Sequence, residues 1–140
     1  MIDAHAQAVL DLLAAVDDPP LTVYDGRVDV SAGRPVDPPY VLLYFAASDP
    51  LQTGSLSLAH RSERHRLDIY AHCVGATARA ARMVADQVRA ALLDVVPAVP
   101  GRTCWPIRLE ESRPPERDET TGVPVFGAVS VYRLQSVPAA

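Results

Sequence analysis

The chain has 140 residues, 49% of them apolar and 21% charged, with a formal charge of −4. A single domain is expected at this length, large enough to bury a core without disulfide or metal staples. The acidic balance argues against a protein that mainly grips phosphate backbones, no apolar run approaches the ~20 residues of a membrane span, and the amphipathic start with its early Asp3 predicts no signal peptide.

In chain order, Asp3 is placed to cap a helix over Ala4 to Val16, on which Ala6, Val9, Leu10 and Leu13 form one apolar stripe while His5, Gln7 and Asp11 fall elsewhere. Asp17-Asp18-Pro19-Pro20 ends it, because proline cannot continue a helix and disfavours helical geometry before itself. Leu21 to Tyr24 reads as a short strand. Asp25-Gly26 is a hairpin signal that makes Arg27 to Val30 the expected returning strand. A proline-rich loop, Ser31 to Pro39, precedes Tyr40 to Ala47, which is apolar at both parities and is therefore expected to be a central strand covered on both faces. Ser48 to Glu63 has no clear period and reads as an extended loop or hairpin.

Arg64 to Val74 alternates cleanly: Leu67, Ile69, Ala71 and Cys73 point one way, and Arg66, Asp68, Tyr70 and His72 the other. Gly75 breaks this strand and Thr77 caps a helix from Ala78 to Val95. Its apolar face is Ala81, Val84, Val88, Ala91 and Leu92. Arg79, Arg82, Asp86 and Arg89 form a separate polar stripe in which Asp86 can pair with Arg82 and Arg89. After Pro97, Pro100 and Gly101, Thr103 to Glu110 reads as a strand with Trp105, Ile107 and Leu109 on one face; Pro106 makes it an edge or bulged strand. Glu111 to Pro124 is a long charged connection, and Val125 to Leu134 is the last strand, with Val125, Val129 and Val131 opposite Phe126, Ala128 and Tyr132.

No enzyme-like constellation emerges. His60, His65, His72 and Cys73 lack the tight ligand pairs of a zinc site, and neighbours on a strand face opposite sides. Cys73 and Cys104 are expected to be free, buried thiols, and a Cys104 nucleophile with a His72 base would require tertiary proximity. Neither GxGxxG nor GxxxxGK[ST] occurs. His60 to Arg66 is the densest basic patch, without the aromatic platform that single-stranded nucleic acids use.

The order of these features resembles the tail terminator family of long, non-contractile-tailed bacteriophages, including prophage proteins described as tail completion or minor tail proteins. The resemblance rests on the opening helix, the Val23-Tyr24-Asp25-Gly26 turn and Pro39-Tyr40-Val41 starting a central strand. It continues with Leu67 to Gly75 entering the Ala80 to Leu93 helix, and with the closing strand Phe126 to Leu134. It implies an α+β fold: a mixed, mainly antiparallel sheet with two main helices packed mostly on one face. It also implies no enzyme activity, no cofactor and no catalytic residue. The implied work is a hexameric ring on the tail tube, located at the head-proximal end of the virion tail after assembly in the host cytoplasm. The implied partners are further copies of the chain, the tail tube protein and a head completion or connector protein, with no membrane and with DNA only passing through the lumen. A head closure or connector adaptor protein is the alternative, and a Cys/His-dependent enzyme or ligand-binding domain a distant one. Long charged loops on a rigid sheet are natural contact sites. Ser48 to Arg66 and Glu111 to Pro124 are therefore the expected contact regions, with Arg61, Arg64, Arg66, Arg113, Glu116, Arg117, Asp118 and Glu119 as contact residues.

Overall fold

The computed structural model describes residues 1–28, 30–31, 34–48, 64–119 and 123–140. In chain order they form helix α1 (Ile2–Ala14), strands β1 (Val23–Asp25), β2 (Val30–Ser31), β3 (Arg34–Pro35), β4 (Tyr40–Ser48) and β5 (His65–Gly75), helix α2 (Ala78–Leu92), and strands β6 (Arg102–Cys104), β7 (Arg108–Ser112), β8 (Glu116–Asp118) and β9 (Val125–Pro138). The main sheet has the order β1-β4-β5-β9, and the far edge of β9 pairs in succession with β6, β7 and β8. All its pairings are antiparallel except β1 with β4. Both helices pack on one face, α1 over β1, β4 and β5 and α2 over β5 and β9. This is the α+β arrangement implied by the resemblance.

Strand alternation builds the core. Leu67, Ile69, Ala71 and Cys73 of β5 stand opposite Leu134, Tyr132, Ser130 and Ala128 of β9, and all of them are buried under the helices. Val41 and Leu43 of β4, Val9 and Leu13 of α1, and Val84, Val88 and Leu92 of α2 complete the cluster. Each large apolar side chain fully buried here contributes roughly 1.5–3 kcal/mol. The other face of the sheet carries Tyr44, Tyr70, His72, Val129, Val131 and Arg133, none of them fully buried.

The strand-to-helix junction is fixed by contact distance. A Cβ at Gly75 would lie 2.4 Å from the Ala81 backbone nitrogen, so only glycine lets β5 run this close under the first turn of α2. The Thr77 hydroxyl accepts from the Ala80 N–H at 3.1 Å, forming the expected N-cap.

Several local expectations are corrected. Helix α1 begins at Ile2 with Met1 as N-cap, so Asp3 sits in the first turn, where its charge favours the helix dipole, and is not the cap. Asp25-Gly26 does not close a hairpin: β1 is parallel to β4, and the Gly26 N–H, at φ 70°, donates to the Leu43 carbonyl at 2.8 Å. The returning strand is replaced by the separate β2–β3 pairing. Strand β4 lies inside the sheet, but only one face is covered: Tyr44 is 43% exposed. Helix α2 stops at Leu92 because Asp94 turns to φ 64° and the Asp94 N–H bonds the Ile107 carbonyl. Pro106 divides the expected 103–110 strand into β6 and β7, leaving Trp105 42% exposed while Ile107 is fully buried. The Glu111–Pro124 connection is partly strand, at Glu111 and Ser112 of β7 and at Glu116–Asp118 of β8, since the edge of the 14-residue β9 gives them backbone groups to pair with. Most of Ser48–Glu63 lies outside the described residues.

Candidate protein-contact surfaces

The expected contact residues divide between opposite ends of β9. Arg66 stands across from Gln135 and Arg117 from Phe126, nine residues along the same strand, or about 30 Å. At the first end, Arg66 Nε donates to Asp68 Oδ1 at 3.1 Å, and its Nη2 lies 3.6 Å from Glu110 Oε1. Arg133 Nη1 meets the same Glu110 oxygen at 2.7 Å, so one carboxylate on β7 holds two arginines from β5 and β9. Glu110 shares the parity of Arg108, which stands opposite Arg133, and so lies on this face; the bulge that follows shifts Glu111 across from Val131. Nearby, Arg108 pairs with Asp94, and the Arg64 guanidinium lies 5.1 Å from the centre of the Trp105 ring, a cation–π distance. At the other end, Glu116, Arg117 and Asp118 form β8 and are exposed, with Arg117 Nη2 at 2.6 Å from Glu119 Oε1. Arg113, between the two groups, pairs with Glu111 at 2.8 Å. Arg61 lies outside the described residues.

Two features of the open face were not foreseen as a group. Tyr44 and Tyr70 are direct cross-strand partners, both exposed, and His72 packs edge-on to Tyr44 with ring centres 5.3 Å apart. Alternation on β4 and β5 was the available signal; the register that aligns them is not written in either strand alone.

A buried polar network was also missed. His5 on α1 is fully buried. Its Nδ1 lies 2.7 Å from the Met1 carbonyl, which can only accept, so Nδ1 carries the proton. Nε2 is then the acceptor for the Ser136 hydroxyl at 2.7 Å, and Ser136 Oγ in turn accepts from Arg102 Nε at 3.0 Å. The His65 ring packs 4.5 Å from His5. Burial lowers both imidazole pKa values below their ordinary 6.5, and the backbone bond to Met1 only partly offsets this for His5. The signal was present: His5, Val9 and Leu13 are spaced by four, which puts the histidine on the apolar stripe.

The catalytic alternative finds no geometry. His72 stands opposite Val129 and Cys104 opposite Ser136, seven residues apart on β9, or about 23 Å. Cys73 is buried as expected, and desolvation pushes its thiol up to about 12, away from thiolate reactivity, whereas Cys104, on the short β6 at the margin of the sheet, is only half-buried. Among the described residues no three His, Cys, Asp or Glu side chains gather as a metal site, and no helix is long and apolar enough to cross a membrane. The Arg82 and Arg89 pairings expected of Asp86 are not formed.

These features define a small α+β protein with one main sheet, both helices on one side of it and ion-paired, partly aromatic surfaces on the other. The family model for tail completion protein gp17 matches residues 6–131, and the chain belongs to that family. It is accordingly a structural protein of the phage tail and virion, in a family that is not an enzyme class. The fold is shared by a component of the virion of a native gene transfer agent particle, with TM-score 0.62, 15% identity, and 94% of this chain and 92% of that chain covered. A second solved structure has TM-score 0.62 at 20% identity, covering 99% of this chain and 93% of that one. No curated protein matches the sequence.

Proposed function

We propose that the chain acts as one domain and forms a hexameric ring that caps the tail tube, ends tube polymerisation and offers its other side to a head completion or connector protein. The observation that carries this reading is the tail completion family match across nearly the whole chain. The physical logic is that of a heterologous contact whose rotation closes, which stops growth because the ring does not repeat the surface it binds. The protein would assemble in the host cytoplasm and remain at the head-proximal end of the tail, with DNA passing through a lumen that a chain of net charge −4 does not grip.

The described residues at the two ends of β9 supply the proposed partner contacts. Arg64 and Arg66 lie at one end and Glu116, Arg117, Asp118 and Glu119 at the other, with Arg113 between them. The separation suits a ring that must meet different partners on its two sides. Co-sedimentation with purified tail tubes lacking a cap, followed by negative-stain imaging, tests the reading. Rings on tube ends are the expected result. Binding only to portal-bearing heads would replace it with the connector assignment, and no binding to either would end it. A variant carrying Ala at Glu116, Arg117 and Glu119 is expected to lose binding to one of the two partners while retaining its fold.

A further inference from the structure

We propose that neighbouring copies meet through two opposite flanks of the helical layer, with the acidic α1–β1 flank of one chain receiving the arginine stripe on α2 of the next. This rests on the ring reading and names the surface that would close it.

Charge on this molecule is segregated. Residues 1–26 hold Asp3, Asp11, Asp17, Asp18 and Asp25 and no Arg. All five are exposed. Asp3 and Asp25 border an open cleft lined also by Ile2, Ala6 and Tyr44, an apolar floor between two carboxylates. Helix α2 carries the opposite sign, with Arg79, Arg82 and Arg89 exposed and making no ion pair among the described residues, and Asp86 the only acid on the helix.

The two flanks face apart. At about 100° per residue, Gln87 lies on the side of α2 turned well away from Arg82 and Arg89. Gln87 Nε2 donates to the carbonyl of Pro19, in the segment that follows α1. Arg82 and Arg89 therefore look away from the α1 side of the layer. The cleft lies on the opposite flank, where β1 forms the edge of the sheet. Unlike patches on opposite flanks cannot form a self-complementary two-fold contact, but they do form a head-to-tail one, the geometry from which rings are made. Opposite charge sets the register and speeds encounter.

The test uses two full-length variants. One is Asp3→Arg with Asp25→Arg, which makes the cleft basic. The other is Arg82→Glu with Arg89→Glu, which makes the outward side of α2 acidic. Molar mass is read by light scattering from micromolar to millimolar concentration, with circular dichroism confirming that each variant folds. Wild type is expected to form rings, each variant alone to stay at subunit mass with at least a tenfold loss of association, and a 1:1 mixture to recover ring mass as alternating copies. Variants that assemble as well as wild type, or folded variants whose mixture does not assemble, would overturn this contact and leave the ring reading in place. A wild-type chain that stays monomeric both alone and on tail tubes would overturn the ring and the contact together.

Discussion

On the helix side of the sheet, Leu67, Ile69, Ala71 and Cys73 of β5 are fully buried, whereas Tyr70 on the same strand is 37% exposed and Arg66 and Asp68 are held in ion pairs. The chain is the same; only parity differs. The first face stabilises the fold by removing apolar surface from water, and its side chains have no freedom to do anything else. The second is paired across strands and partly wet, so its side chains remain available to other molecules at low cost to stability. Substitutions on the two faces should therefore have effects of different size and kind.

The sharpest contrast pairs Tyr132→Ala with Tyr70→Ala. Tyr132 is 1% exposed at the centre of β9, and truncating a buried aromatic costs about 3–5 kcal/mol. Tyr70→Ala is expected to cost less than about 1 kcal/mol, close to the usual range for a surface change. Denaturant titration at constant m-value measures both, and equal losses would show that the open face is as much core as the helical one. Gly75→Ala comes next. The added Cβ would meet backbone rather than a movable side-chain tip, so α2 must shift, at about 1–3 kcal/mol. Full stability in that variant would mean the close strand–helix approach is not required.

The histidines extend the comparison to pH. His5 is buried beneath α1, and His72 lies on the open face; burial lowers the pKa of both from 6.5, as it does for His65. A lowered imidazole pKa means that the unfolded chain takes up protons the folded chain refuses. Stability from these groups is therefore complete above the unfolded value and is lost as pH falls from 6.5 toward the folded values. Thermal melts from pH 8 to pH 5 should show this decline. His5→Leu should flatten it, and at pH 8 should cost about 1–3 kcal/mol by leaving the buried Ser136 hydroxyl and Met1 carbonyl without their partner. His72→Leu should flatten it less and cost little at pH 8. A pH profile unaffected by His5→Leu would show that the buried network is not what titrates.

Elements whose pattern is local were legible in the sequence. Thr77 before an apolar stripe, the alternation of Leu67 to Cys73, and Gly75 between them gave β5, the turn and α2, because caps, period and breaker all lie within a few residues. What depends on distant partners was not. Asp25-Gly26 looks like a hairpin in isolation, but β4 competes for β1 and wins a parallel pairing. Apolar residues at both parities of β4 suggested cover on both faces, but the helices supply it on one only. The charged 111–124 segment lacks strand alternation, and it pairs because β9 extends far enough to meet it. Of the expected contact residues, their charge and exposure were readable, but the two-ended arrangement along β9 was not, since it depends on register.

The smallest expected effect tests whether the open face contributes to folding at all. Glu110 bridges Arg66 and Arg133 across three neighbouring strands, with about a third of each of the three side chains exposed. Ion pairs at that exposure are screened by water and salt, and Glu110→Gln should cost less than about 1 kcal/mol, falling further at 1 M salt. A double-mutant cycle with Arg133→Gln isolates the 2.7 Å pair from the 3.6 Å one, and its coupling energy should account for most of the single-mutant loss. If the coupling exceeds about 2 kcal/mol and resists salt, the network is desolvated and acts as a structural clamp joining β5, β9 and β7. The same cycle run with Arg66→Gln reads the 3.6 Å pair, and a coupling as large there would commit Arg66 to the fold of its own chain and pass partner contact at that end of β9 to Arg64 and Trp105.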